Sequence, residues 1–185
     1  MNEIFRGWVA AAALFAACGG ALSVAPPVAP PPPPPRFTFR LPALSGGTIS
    51  SEDFKGRVLV VDVWATWCGP CKMVIPHLID LQSRFGGKGV SVLGLNSDGD
   101  PGAGVDPGPI KEFVLRAGIN YPVGLIDERT YRMVSRLAGG ESGGLSIPTT
   151  LIIGRDGRLL RVYPGYYHGQ EKDIERLLTS LLERG

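Results

Sequence analysis

Cysteine is scarce in this chain, and so is any excess of charge. Three cysteines in 185 residues cannot build a multi-bridge disulfide framework. The formal net charge is only +2 and no basic run occurs, which excludes the electrostatic footprint of a nucleic-acid or acidic-membrane binder. Long apolar runs are also missing. The longest, Trp8 to Ala17, is too short to cross a bilayer and has the length of an export-signal core, preceded by Arg6 and the amino terminus. A calcium loop is excluded in the Asp- and Gly-rich stretch from Asn96 to Gly108, because Pro101 stands where the turn glycine belongs and Pro107 where the bidentate glutamate belongs. Covalent haem needs a histidine directly after Cys71, and Lys72 is there.

Glycine and proline are abundant by contrast, at 26 and 17 residues. Much of the proline lies between Val24 and Pro35, a stretch that can form neither helix nor ladder and is expected to extend as polyproline II. At about 3.1 Å per residue, Pro26 to Pro35 reaches roughly 30 Å, the geometry of a tether or of a neutral spacer. The expected organisation is a signal over 1–17, a proline-rich disordered tether over 18–35 and one folded domain over 36–185. Leu14-Phe15-Ala16-Ala17-Cys18-Gly19 resembles a bacterial lipoprotein box, which implies lipid attachment at Cys18 and anchoring to a membrane; Phe15 departs from the usual leucine, and cleavage near Ala21 as an ordinary secretory signal is the alternative.

Within the domain the hydrophobic pattern predicts an α/β fold. Phe37 to Leu41 alternates as a half-buried strand, Gly46-Gly47 turns into a second one, and Ser50 or Ser51 caps a short turn through Phe54. Val58 to Val63 is apolar on both faces, the pattern of a central parallel strand interrupted only by Asp62. Val74, Leu78, Leu81 and Phe85 recur at helical spacing across Pro76, which predicts a kinked helix, and Val90 to Leu95 completes a βαβ unit. A helix around Ile110 to Ala117, a strand over Tyr121 to Ile126 and a third helix over Glu128 to Ala138 follow. Gly139 to Gly144 reads as a mobile loop, Pro148 to Tyr163 as an antiparallel hairpin, and Ile174 to Leu182 as the last amphipathic helix.

Two of the cysteines, Cys68 and Cys71, fall at the junction between a buried strand and a helix. Unpaired N–H groups and the positive helix end stabilise a thiolate on the first cysteine, which makes Cys68 the candidate nucleophile. Cys71, one turn later, is placed to resolve a mixed disulfide. Gly69 permits a tight turn, and Pro70 fits a helical first turn where its missing N–H is harmless. A zinc site would have to draw on His77, His168 and acidic residues, without a second cysteine pair.

Trp64-Ala65-Thr66-Trp67-Cys68-Gly69-Pro70-Cys71-Lys72 resembles the active-site motif of the thioredoxin superfamily, and the extra helix and strand between Leu95 and Pro148 resemble the insertion of its exported TlpA and ResA-like branch. The resemblance implies a three-layer thioredoxin-like fold: a central mixed β-sheet flanked by helices, with an inserted helix-strand element and an N-terminal strand pair. It implies catalysis by Cys68, Cys71 and Asp62, the last matching the buried carboxylate that exchanges the proton of the second cysteine. Ile147 and Pro148 match the cis-proline segment, and Gly165 the glycine of the substrate-facing surface, to which Trp67, Gly69 and Pro70 also belong.

No cofactor or resident metal is implied. The expected partners are disulfide-containing proteins and a membrane thiol relay that donates electrons, as in family members serving cytochrome c maturation, on the periplasmic or envelope side of a bacterium. Two positions depart from the family. Gly94 occupies the place of a lysine near the buried aspartate, and Val74 the place of a glutamate, which leaves the direction of electron flow open. A copper-delivery protein is an alternative because thiolates are soft ligands. A thiol peroxidase on the same fold is another, although Ala65 stands where its threonine belongs.

Overall fold

The computed structural model describes residues 32–99, 104–140 and 144–184. The expected signal, Cys18 and most of the tether lie outside the described residues, as do positions 141–143 of the expected mobile loop. The folded unit spans Pro33–Gly185.

Phe37, Phe39 and Leu41 point inward and Thr38 and Arg40 outward, as the alternation requires, but ladder pairing begins only at β1, Arg40–Pro42. Before that the chain bonds elsewhere: Phe37 donates its N–H to the Gly157 carbonyl (2.9 Å) and Arg36 bridges Arg158. The turn at Gly46 and Gly47, with φ of 100° and 76°, leads into β2, Thr48–Ser50, antiparallel to β1. A 3-10 turn over Ser51–Phe54 follows, closed by Asp53, whose carboxylate accepts from the Ser50 N–H at 2.7 Å and the Ser50 hydroxyl at 3.1 Å.

The remaining elements are β3 (Val58–Trp64), α1 (Cys71–Phe85), β4 (Val90–Asn96), α2 (Pro107–Ala117), β5 (Val123–Leu125), α3 (Glu128–Leu137), β6 (Thr149–Ile153), β7 (Leu159–Pro164) and α4 (Gln170–Glu183). Five strands form one sheet in the order β5-β4-β3-β6-β7. β3 runs parallel to β4 and antiparallel to β6. The apolar run of β3 therefore reflects burial on both faces, which every central strand needs, rather than parallel pairing on both sides. β5 is shorter than the predicted Tyr121–Ile126 strand, because Pro122 has no N–H to give the ladder and supplies only its carbonyl, to Gly94.

Each sheet face has its own core. Leu59, Val61, Val63, Leu93, Leu95 and Leu151 pack with the N-terminal strand pair and with Val134 of α3. On the opposite face Val58, Val60, Val90, Val92 and Ile152 pack against Val74, Leu78 and Leu81 of α1 and Ile174 and Leu178 of α4. A third cluster at the C-terminal end of β3 joins Trp64, Cys68, Cys71 and Ile75 to Ile110 of α2. This is the expected thioredoxin-like three-layer arrangement, and the expected helix-strand element falls in the stretch of α2, β5 and α3 between β4 and β6. No helix among the described residues is long and apolar enough to cross a membrane.

Candidate active site

β3 ends at Trp64, six residues turn the chain, and α1 starts at Cys71. The turn is held from both sides. Cys68 donates its N–H to Ala65 O at 3.1 Å, and Thr66 donates to Asp98 Oδ1 at 3.0 Å on the loop after β4. Asp98 is itself fixed by Asn96, through Nδ2 to its carboxylate and through its own N–H to Asn96 Oδ1, both at 3.1 Å. Asp98 and Asn96 were not apparent as site residues from sequence, since nothing in the Asp- and Gly-rich loop marks which acid reaches back to the motif.

Cys68 and Cys71 form a disulfide with their Cα atoms 5.3 Å apart. The Cys71 N–H, the first of α1, points at Cys68 Sγ from 3.2 Å, and the helix has no side-chain cap and no acid in its first turn. The positive helix end therefore acts on Cys68 uncompensated, which favours its thiolate once the pair is reduced. Cys68 retains 4% exposure while Cys71 has none, so the two sulfurs differ in access. Exposed Gly69 and Pro70 and the apolar side chains of Trp67 (69% exposed) and Met73 (53%) surround them. A cleft of about 280 Å³ opens beside Trp67, lined also by Thr66, Asp98, Val105, Asp106 and Ile110.

The segment from β6 arrives at the same end of the sheet. Val63 pairs with Thr149, so Pro148 lies beyond the top of β6, preceded by a cis peptide bond from Ile147. Ile147 packs against the cluster that contains both cysteines. Gly165, just past β7 with φ of 72°, donates its N–H to the Pro148 carbonyl at 2.7 Å.

Asp62 sits beneath this surface. It is fully buried, and its strand neighbours on the same face are Val60, clustered with Val74 and Leu78, and Trp64, clustered with Cys71 and Ile75, which places the carboxyl under the first turns of α1. Thr150, its register partner on β6, donates its hydroxyl to Asp62 Oδ1 at 2.7 Å. Burial pushes the carboxyl up to about 7, against the opposing pull of the Thr150 bond. On the other side its register partner is Gly94, where the expected lysine is missing. No side chain fits there: a Cβ at Gly94 would stand 2.7 Å from Trp64 Nε1 and 3.2 Å from Tyr121 Cε2. Trp64 is fully buried and stacks on Phe113 of α2, with ring centroids 5.2 Å apart. Thr150 and Tyr121 were missed from sequence, because the uniformly buried β6 carries no alternation to mark which threonine faces Asp62.

Comparison with known proteins agrees with this geometry. The Redoxin family model matches residues 32–178. The thiol-disulfide oxidoreductase ResA of Bacillus thuringiensis subsp. konkukian is 30% identical over 131 residues, 69% of this chain and 66% of that protein. ResA of Geobacillus kaustophilus is 28% identical over 143 residues, 77% of this chain and 74% of that protein. The chain thus spans about two thirds of the first of these relatives. Among solved structures, a thiol:disulfide interchange protein of the thioredoxin family from Chlorobium tepidum TLS superposes with a TM-score of 0.67 at 26% identity, covering 83% of this chain and 99% of that one.

Proposed function

The chain belongs to the Redoxin family, as a TlpA/ResA-like member of the thioredoxin superfamily, and from that premise we propose that it is an exported thiol:disulfide oxidoreductase that reduces protein disulfides. The observation that carries the reading is the Cys68–Cys71 pair at the uncapped start of α1, above a buried carboxyl.

In the reduced protein the Cys68 thiolate attacks one sulfur of a substrate disulfide; a mixed disulfide forms and the other substrate sulfur leaves as a thiolate. Cys71 then gives its proton to Asp62 and attacks Cys68 Sγ, which closes the Cys68–Cys71 disulfide and releases the second substrate thiolate. Two electrons pass to the substrate. A carboxyl near 7 suits this transfer, because it accepts a proton from a thiol and returns it near neutral pH. Trp67, Gly69 and Pro70 on one side and Ile147, Pro148 and Gly165 on the other form the surface that holds an extended substrate, with the flanking backbone groups as its hydrogen-bond partners.

Three further elements belong to the proposal: Cys18 carries a lipid, the proline-rich stretch is a tether, and a membrane thiol relay re-reduces the pair on the periplasmic or envelope face. Cys68→Ser is expected to abolish disulfide reduction, and Cys71→Ser to accumulate the mixed disulfide, seen as a thiol-sensitive adduct on non-reducing gels. Wild-type reduction rates in Cys68→Ser overturn the assignment. Loss of membrane partitioning in Cys18→Ser, with the exchange rate unchanged, checks the anchor separately.

A further inference from the structure

Three buried polar atoms around Gly94 have no hydrogen-bond partner among the described residues: Asp62 Oδ2, Trp64 Nε1 and Tyr121 Oη. A buried polar atom without a partner is destabilising, so three in one place call for a common explanation. Their placement converges. Asp62 and Gly94 are in register on adjacent strands, and Asp62 Oδ1 is engaged on the opposite side by Thr150, which leaves Oδ2 for the β4 side. Trp64 Nε1 and the Tyr121 ring edge crowd the position of the absent Gly94 side chain, and the Asp62 charge acts on the Tyr121 hydroxyl.

Their hydrogen-bonding capacities are complementary. An indole N–H only donates, a carboxylate only accepts, and a phenol does both. One water can accept from the indole, donate to the carboxylate and bond the phenol, which satisfies all three with the usual number of partners for an internal water. We propose that Asp62 Oδ2, Trp64 Nε1 and Tyr121 Oη share one internal water beside Gly94, and that Tyr121 is through it a positioning residue for the Asp62 carboxyl. The proposal rests on the reading of Asp62 as the proton acceptor of Cys71. It assigns to a phenol, an indole and a water the polar contact that a lysine at Gly94 would make.

Among the described residues, the polar and ionisable side chains that register and packing set beside Asp62 are Thr150 on β6, Tyr121 ahead of β5, Trp64 on its own strand and Cys71 at the start of α1, with Tyr163 of β7 one strand further out, opposite Thr150. Among the described residues no cationic side chain acts on its titration. Tyr121→Phe removes the hydroxyl and leaves the ring that packs over Gly94.

The test follows the Asp62 carboxyl directly, by NMR of the full-length protein labelled with carboxyl-13C aspartate. Removing a water-mediated bond to the ionised form is expected to move the Asp62 midpoint upward by about one pH unit in Tyr121→Phe. In wild type a long-lived water is expected to give a cross-peak to the Trp64 indole proton. A Tyr121→Phe titration superimposed on wild type, or an indole proton that sees no long-lived water, overturns the proposal; the second readout serves if the variant does not fold. If the midpoint moves while Asp62→Asn leaves the Cys71 step unchanged, the water site stands and the proton role of Asp62 falls.

Discussion

A carboxyl with no exposure and one hydroxyl partner is an energetic burden on the fold. Asp62 ionises near 4 in the unfolded chain and at about 7 in the folded one, so the folded state binds the proton more tightly. Its stability contribution is complete below about pH 4, is lost progressively as pH rises to about 7, and is constant above that. Asp62→Asn is therefore expected to stabilise the oxidised protein at pH 8 by up to about 4 kcal/mol and to have little effect at pH 4, read as urea midpoints at the two values. An advantage that does not grow with pH contradicts the burial assignment. The same variant is expected to slow closure of the Cys68–Cys71 disulfide, which would separate a group kept for chemistry from one kept for stability. The position of Asp62 six residues before Cys68 made it legible in the sequence, as a lone charge in an otherwise apolar strand. Thr150 and Tyr121 were not legible, because their roles depend on strand register and on a ring arriving from outside the ladder.

At the scale of elements, the strand-to-helix junction was readable because its signals are local: a β-branched run, Gly69 and Pro70 at the turn, and apolar spacing that continues through Pro76 inside α1. The cis bond before Pro148 followed from the resemblance of that segment, whereas the hydrogen bond from Gly165 to its carbonyl was not foreseen and is seen only in the fold. What hydrophobic pattern could not reveal was the antiparallel orientation of β6 beside β3, since burial on both faces writes the same apolar run for either direction. Gly94 illustrates how packing decides a sign. A glycine in a strand interior ordinarily gains stability on replacement by alanine, and this one has no left-handed backbone to protect. Its Cβ would nevertheless press on Trp64 Nε1 at 2.7 Å and on the Tyr121 ring, both fixed in the core. Gly94→Ala is expected to lower stability by about 1–3 kcal/mol in chemical denaturation. A stabilised Gly94→Ala protein shows that the indole yields.

The whole molecule is polar along β3. The disulfide, Pro148 and Gly165 gather at the C-terminal end of that strand, while Pro34 and Pro35 reach the domain near its N-terminal end. There Leu159 donates its N–H to Pro35 O at 3.0 Å and Arg158 Nη1 donates to Pro34 O at 2.7 Å. Two carbonyls of the proline-rich stretch thus take part in the fold. A chain starting at Pro33 is expected to melt with the full-length protein, and one starting at Arg36 about 2–8 °C lower, by calorimetry. Equal melting temperatures argue that the two bonds contribute nothing. Composition marked where the prolines end, but no local pattern reports which of them the hairpin turn captures.

That capture also has a mechanical side. The bonds from Leu159 and Arg158 fasten the incoming chain to the start of β7, an edge strand, and the Arg36–Arg158 bridge continues the seam. A pull on the N-terminal segment is carried first by this seam and then spread along the β6–β7 ladder, whose far end, not its loaded end, meets the cis-proline. Were the N-terminal segment the proposed tether, a pull on it would enter the fold through an edge hairpin, at the end opposite the sulfur atoms.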